Sequence, residues 1–115
     1  MASLDIVDWV APDALVISLI GELDAIACRQ VAQRIVHLLG RWPDLRLTLD
    51  LSSVAHVAPE AAEALFLDLV ARRATGAVLT FACPSAACQH VLGGLNIPYV
   101  PILPAGAGML SGVTV

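Results

Sequence analysis

Residues Leu45–Leu69, LRLTLDLSSVAHVAPEAAEALFLDL, decide how the chain folds. Leu45, Leu47, Leu49 and Leu51 alternate with Arg46, Thr48 and Asp50, which is the period of a strand. Pro59 brings a preset φ and lacks the N–H that a first helical turn leaves unpaired. Behind it Ala61, Ala62, Ala64, Leu65, Phe66, Leu69 and Val70 make a broad apolar helical face. The stretch therefore predicts a strand over Leu45–Leu51, a loop over Ser52–Ala58 and a helix over Pro59–Ala74. In an open α/β sheet, sites gather where strands end and the following helices begin. Function is expected at that loop and helix start.

Working outward, Leu4, Ile6, Trp9 and Val10 predict a short first strand. Ala11-Pro12-Asp13 predicts a turn, and Ala14–Ile20 a nearly all-apolar second strand that is central and paired with the first as a hairpin. Gly21-Glu22-Leu23-Asp24 breaks that strand. Asp24 is placed to cap a helix from Ala25 to about Leu39. Ile26, Ala27, Val31, Ile35, Leu38 and Leu39 line its buried side, with Arg29, Gln33 and Arg34 outside and Gly40 as its terminating residue. After Arg41-Trp42-Pro43-Asp44 comes the deciding stretch, closed by Thr75-Gly76. Ala77–Ala82 predicts a further strand and Ser85 to Leu92 a short helix ended by Gly93-Gly94. Pro98–Leu103 predicts a last strand, with its prolines tolerable only at an edge. The order is β-β-α-β-α-β-α-β: one α/β domain over residues 1–103 with a mixed, mostly parallel sheet and helices on one main face. Residues 104–115 form a Gly-rich C-terminal tail.

The chain has 115 residues, 58% hydrophobic and 14% charged, enough apolar content for a real core. Mean hydropathy is +0.83, yet no apolar run reaches the ~18 residues of a membrane span. The apolar surplus suits a two-sided parallel sheet or a protein interface, a homodimer among them. Net charge is −4 and the basic residues are scattered, so no stripe for a phosphate backbone exists and nucleic acid is not an expected partner. The N-terminus has no signal-peptide pattern, and three cysteines are no disulfide framework. Together these point to a cytoplasmic location. Cys83, Cys88 and His90 do not have zinc-ligand spacing, so no metal and no cofactor are expected. No nucleophile–base or phosphate-loop motif is present, and the chain is not expected to be an enzyme.

Three signatures, in order and at these spacings, resemble the STAS family, the fold of bacterial anti-sigma factor antagonists. They are Gly21-Glu22-Leu23-Asp24 after the second strand, Leu49-Asp50-Leu51-Ser52-Ser53-Val54 in the third, and Cys83-Pro84-Ser85 opening a helix that ends Gly93-Gly94-Leu95. The likeness covers about residues 4–103. It implies a regulatory, protein-binding module whose partner is an anti-sigma factor that is also a kinase. In phosphorylatable members the loop after the third strand carries D-S-S-G-L, and its second serine accepts phosphate. Counting on from Val54, the aspartate falls on Ala58, the first serine on Pro59, the acceptor serine on Glu60, and the Gly-Leu on Ala61 and Ala62. The acceptor hydroxyl is replaced by a carboxylate, so phosphorylation is not expected there.

Two readings of Glu60 stay open. At the second position of a helix a carboxylate gains ~0.3–1 kcal/mol from the helix dipole, so it serves as a simple first-turn acid. In the same field it also stands in for a phosphoserine with ~−1.5 to −2 charges. Ser52 and Ser53 are the loop's hydroxyls, alternative acceptors or residues bonded to their own turn. His56 is a candidate contact in the loop or simply packs there. Asp24 either neighbours the Glu60 loop or only caps its helix. The expected partner-binding set is Asp24, Ser52, Ser53, His56, Ala58, Pro59, Glu60 and Glu63, with Asp68 and Arg72 exposed further along. An alternative within the fold is a STAS-type small subunit that docks on the cytoplasmic face of a lipid or anion transporter.

Overall fold

Two parallel crossovers running the same way across one sheet set the architecture. The computed structural model describes residues 4–11, 14–74 and 78–101. In chain order these form β1 (Leu4–Ala11), β2 (Ala14–Leu23), α1 (Ala25–Arg41), β3 (Arg46–Val57), α2 (Pro59–Ala74), β4 (Val78–Ala82) and α3 (Ala86–Gly94). The sheet order is β1-β2-β3-β4. β1 is antiparallel to β2, with Leu4 opposite Gly21 and Ala11 opposite Ala14. β2 is parallel to β3, and β3 to β4. Right-handed crossovers that step in one direction bring α1 and α2 to the same face.

That face is the core. Ile17, Leu19 and Leu23 of β2, Leu47, Leu49 and Leu51 of β3, and Leu79 and Phe81 of β4 meet Val31 and Ile35 of α1, Leu65, Phe66 and Leu69 of α2, and Leu92 of α3. The alternating leucines of the deciding stretch are thus the sheet's inward row. Phe66 and Phe81 pack edge to face, centroids 5.4 Å apart at 74°, an arrangement that aromatic quadrupoles favour. β1 is tied to the helix layer by an ion pair between Asp8 and Arg34 of α1.

Several boundaries differ from the sequence reading, each for a local reason. β2 does not break at Gly21. It runs on to Leu23, paired with β3 through two register shifts, and Gly21 at φ 123° takes a conformation closed to most side chains. β3 likewise runs to Val57, so Ser52–Val57 is strand and the expected loop shrinks to Ala58. Gly40 does not end α1. The helix continues to Arg41, where the Trp42 N–H closes on the Leu38 carbonyl at 2.8 Å and the Arg41 guanidinium lies over the Trp42 ring.

Ile26 is 59% exposed rather than buried, and Ala64 is exposed as well. Gly93 and Gly94 belong to the last turn of α3, which is followed by Asn96 at φ 57°. Among the described residues the last strand is reduced to a single parallel bridge, Ala82 to Val100, since Pro98 and Pro101 bracket it without an N–H to offer. Pro12, Asp13, Thr75, Gly76, Ala77, Ile102, Leu103 and the 104–115 tail lie outside the described residues. Among the described residues no helix is long and apolar enough to cross a membrane.

Phe66 is fully buried and packs edge to face on Phe81, so Phe66→Ala is expected to cost about 3–5 kcal/mol. Urea unfolding should show a lower midpoint at an unchanged slope.

Candidate functional site

Strands β2 and β3 end side by side, and two helices start from their ends. Leu23 pairs with Val57, and the Ala58 N–H donates to the Leu23 carbonyl at 3.0 Å. Each strand is followed by one junction residue, then a helix. The junction before α1 is Asp24, in extended conformation at φ −93° and ψ −174°, with Oδ1 accepting the Ala27 N–H at 2.8 Å. This is the cap read from the sequence. The junction before α2 is Ala58, whose carbonyl accepts the Ala62 N–H at 3.0 Å. Alanine has no side-chain oxygen, and Pro59 has no N–H, so the field at this helix start is answered by Glu60, the first-turn acid of α2. Glu60 and Pro59 are exposed; Asp24 and Ala58 are half-buried.

Asp24, Ala58, Pro59 and Glu60 are therefore neighbours at one end of the sheet. Glu63 follows one turn along α2, exposed. His56 is exposed on β3 and sits opposite Glu22 of β2, close to the helix starts. Ser52 and Ser53 are not part of this group. They lie within β3, and at ~3.3 Å per residue the strand carries Ser52 roughly 20 Å from the start of α2.

Ser52 belongs instead to a polar chain that sequence reasoning missed. Its hydroxyl and its N–H both donate to Asp50 Oδ1, at 2.8 and 3.1 Å. The Ser18 hydroxyl of β2 donates to Asp50 Oδ2 at 2.9 Å and accepts from Trp9 Nε1 of β1 at 3.0 Å. Three adjacent strands are thus linked across the face opposite the helices. Asp50 is 8% exposed, and three accepted bonds are what make a carboxylate tolerable there. The available signal was an aspartate in the middle of a leucine strand. Its partners come from other strands and could not be named without the register.

At the end of β4, Cys83 takes φ 50°, uncommon for a residue with a side chain. Its N–H donates to the Val100 carbonyl at 2.8 Å, and its thiol points to the Pro101 carbonyl at 3.3 Å. Ser85 caps α3, accepting from the Cys88 N–H, and its own N–H reaches the Leu51 carbonyl at 3.1 Å. Burial, then the Asp24 carboxylate and Cys88, push the Cys28 thiol up to about 11. Burial also raises Cys88 and, with the charge of Asp50, Cys83. Cys28 and Cys88 are buried thiols that pack as small hydrophobes, and Cys83 is half-buried. Among the described residues no group of His, Cys, Asp or Glu is arranged to hold a metal ion.

No family model matches the sequence, and no curated protein does. Solved structures do match in fold. The anti-sigma factor antagonist SpoIIAA in its unphosphorylated form superposes with a TM-score of 0.71 at 16% identity, over 98% of this chain and 98% of that one. The Bacillus cell fate determinant SpoIIAA in the phosphorylated form gives 0.68 at 16%, over 93% and 96%. A serine-to-glutamate variant of RsbS from Moorella thermoacetica gives 0.67 at 14%, over 95% and 97%. At such identities the shared property is the fold, a mixed α/β sheet of the STAS type.

Asp24→Ala removes the one side-chain acceptor at the start of α1 and should lower stability by about 1 kcal/mol in urea unfolding. Stability should also fall in alkali. The Cys28 thiol ionises from 9.0 in the unfolded chain but only near 11 when folded. The folded state therefore binds more protons across that window, and stability declines as pH rises through it. Thermal midpoints that climb over the same interval would contradict the burial of Cys28.

Proposed function

We propose that this protein is a non-enzymatic regulatory module of the anti-sigma factor antagonist type, with a kinase-like anti-sigma factor as its partner. The partner docks at the sheet end where α1 and α2 begin, on Asp24, His56, Ala58, Pro59, Glu60 and Glu63, with the outer side of α2 extending the surface. Ser52 and Ser53 enter only at its margin. The domain that carries this surface is residues 1–103, with 104–115 as an appended tail. It acts in the cytoplasm.

One observation carries the reading: an exposed carboxylate at the first turn of α2, behind Ala58 and Pro59. The family resemblance equates that position with the phosphate-accepting serine. Glu60 supplies negative charge there permanently, in the helix field that would favour a phosphate. The fold itself occurs among solved structures in a phosphorylated form and with glutamate substituted for serine, which supports its tolerance of added negative charge. No hydroxyl stands at this turn, so the module is constitutive: it does not cycle between phosphorylated and unphosphorylated forms at this point.

The test pairs the protein with a kinase-like anti-sigma factor from the same organism, with and without ATP. Wild type is expected to gain no phosphate between Ser52 and Ala62 by mass spectrometry, whereas Glu60→Ser gains one. Glu60→Lys should weaken the complex by about tenfold, roughly 1.4 kcal/mol. Phosphate within that segment of the wild type would overturn the reading. Co-purification with a permease and its ATPase in place of an anti-sigma factor would move the module to the transporter-docking role.

A further inference from the structure

The helix layer carries a surface that reaches beyond the partner site, from the outer side of α2 across the groove to α1. Between α1 and α2 lies a groove of about 340 Å³, open to solvent. Its walls are alanines, Ala25 and Ala32 on one side and Ala61 and Ala64 on the other, with Arg29 and Asp68 on opposite rims. Three large apolar side chains stand out of the same helices: Ile26 at 59% exposure, Val36 at 42% and Leu67 at 51%. Helical periodicity puts Ile26, Arg29 and Val36 on the outward face of α1, and Ala64, Leu67 and Asp68 on that of α2.

The charges on this layer are sorted by helix. α1 contains no Asp or Glu, and its arginines are Arg29, Arg34 and Arg41. Arg34 is held by Asp8. Arg29 makes no ion pair with any described residue. α2 begins acidic, with Glu60, Glu63 and Asp68 ahead of Arg72 and Arg73, and Asp68 already holds Arg72 in an exposed pair at 3.1 Å. A basic helix lies beside one whose N-terminal part is acidic, and both point the same way. Such a layer is complementary to a second copy of itself.

We propose that this face is a self-association surface, occupied by a second copy of the chain about a two-fold axis that runs along the helices. That operation lays α1 of each copy on α2 of the other. It keeps heights along the helices, and the bond from Ala58 to Leu23 starts the two helices level. At ~1.5 Å per residue, Glu60, Arg29 and Asp68 stand about 1.5, 6 and 13.5 Å above that start. Arg29 of one copy therefore falls between Glu60 and Asp68 of the other, and the symmetry makes this bracket twice. Leu67 lies at the level of the Ala32–Val36 turn of the other copy. Alanine walls allow the close helix approach this packing needs.

The size of the contact sets its strength. Two helices of this length present a face of about 25 by 20 Å, so the dimer buries about 1,000 Å² in total. That is the low end for a specific interface and corresponds to a concentration-dependent monomer–dimer equilibrium. Glu60 sits on the rim of this contact, so a dimer covers part of the surface assigned above to the partner. The self-association itself does not depend on that assignment.

Sedimentation equilibrium on the full chain at low salt, from about 1 μM to about 1 mM, reads the proposal. The mass of the wild type is expected to rise from one chain toward two, and to fall back when salt screens the charges. R29E and D68R are exposed helical changes, and each should weaken association by about tenfold. The R29E/D68R double variant should bind itself more tightly than R29E alone. A64R fills the groove and should leave a monomer with an unchanged circular dichroism spectrum. A wild type that stays monomeric over the whole range overturns the proposal, as does a dimer insensitive to R29E and A64R. A double variant weaker than R29E alone overturns the bracket.

Discussion

The parallel pairing of β2 with β3, carried all the way to Leu23 opposite Val57, is the constraint on which the structure rests. It holds the two strands level at their carboxyl ends. It lets the Ala58 N–H close on the Leu23 carbonyl and so starts α1 and α2 at one height. Asp24 and Glu60 are brought together by that alone, since 36 residues of chain separate them. The same levelling sets α1 and α2 side by side along the groove. A change that slipped β3 by one residue against β2 would turn its leucine row out of the core.

The two faces of the sheet are stabilised by different physics. On the helix side the energy is apolar burial, with the inward leucines of β3 packed under α2 and α3 and the Phe66–Phe81 contact locking the centre. On the other side a string of hydrogen bonds runs from Trp9 through Ser18 and Asp50 to Ser52. A half-satisfied version of that string would be worse than none, because Asp50 is almost buried. The network also answers a question the sequence left open. Ser52 is engaged by the carboxylate two residues before it, so its hydroxyl has a structural partner.

Charge is used economically. Of the acids near the sheet end, Asp24 is turned onto its own helix as a cap, while Glu60 faces outward where the backbone offers no cap. One carboxylate completes the fold and the next stays at the surface. That outward acid has a simple physical warrant, the field of a helix start with Ala58 and Pro59 in front of it.

The elements themselves were legible in the residues. The leucine alternation over 45–51 gave a strand, Pro59 a helix start, and Asp24 a cap, and all three are local effects of period, fixed φ and a short acceptor side chain. The ends of the elements were not legible. Ser52–Val57 is polar enough to read as loop, and only the presence of Ile20–Leu23 alongside, with bulges and a positive φ at Gly21, keeps it in the sheet. Gly40 reads as a helix end until Trp42 and Arg41 pack over the last turn. The grouping of Asp24 with Glu60, the removal of Ser52 from them, and the partners of Asp50 belong to tertiary structure. They depend on which strands lie next to each other and in what register, and a periodicity read along one chain carries no information about that.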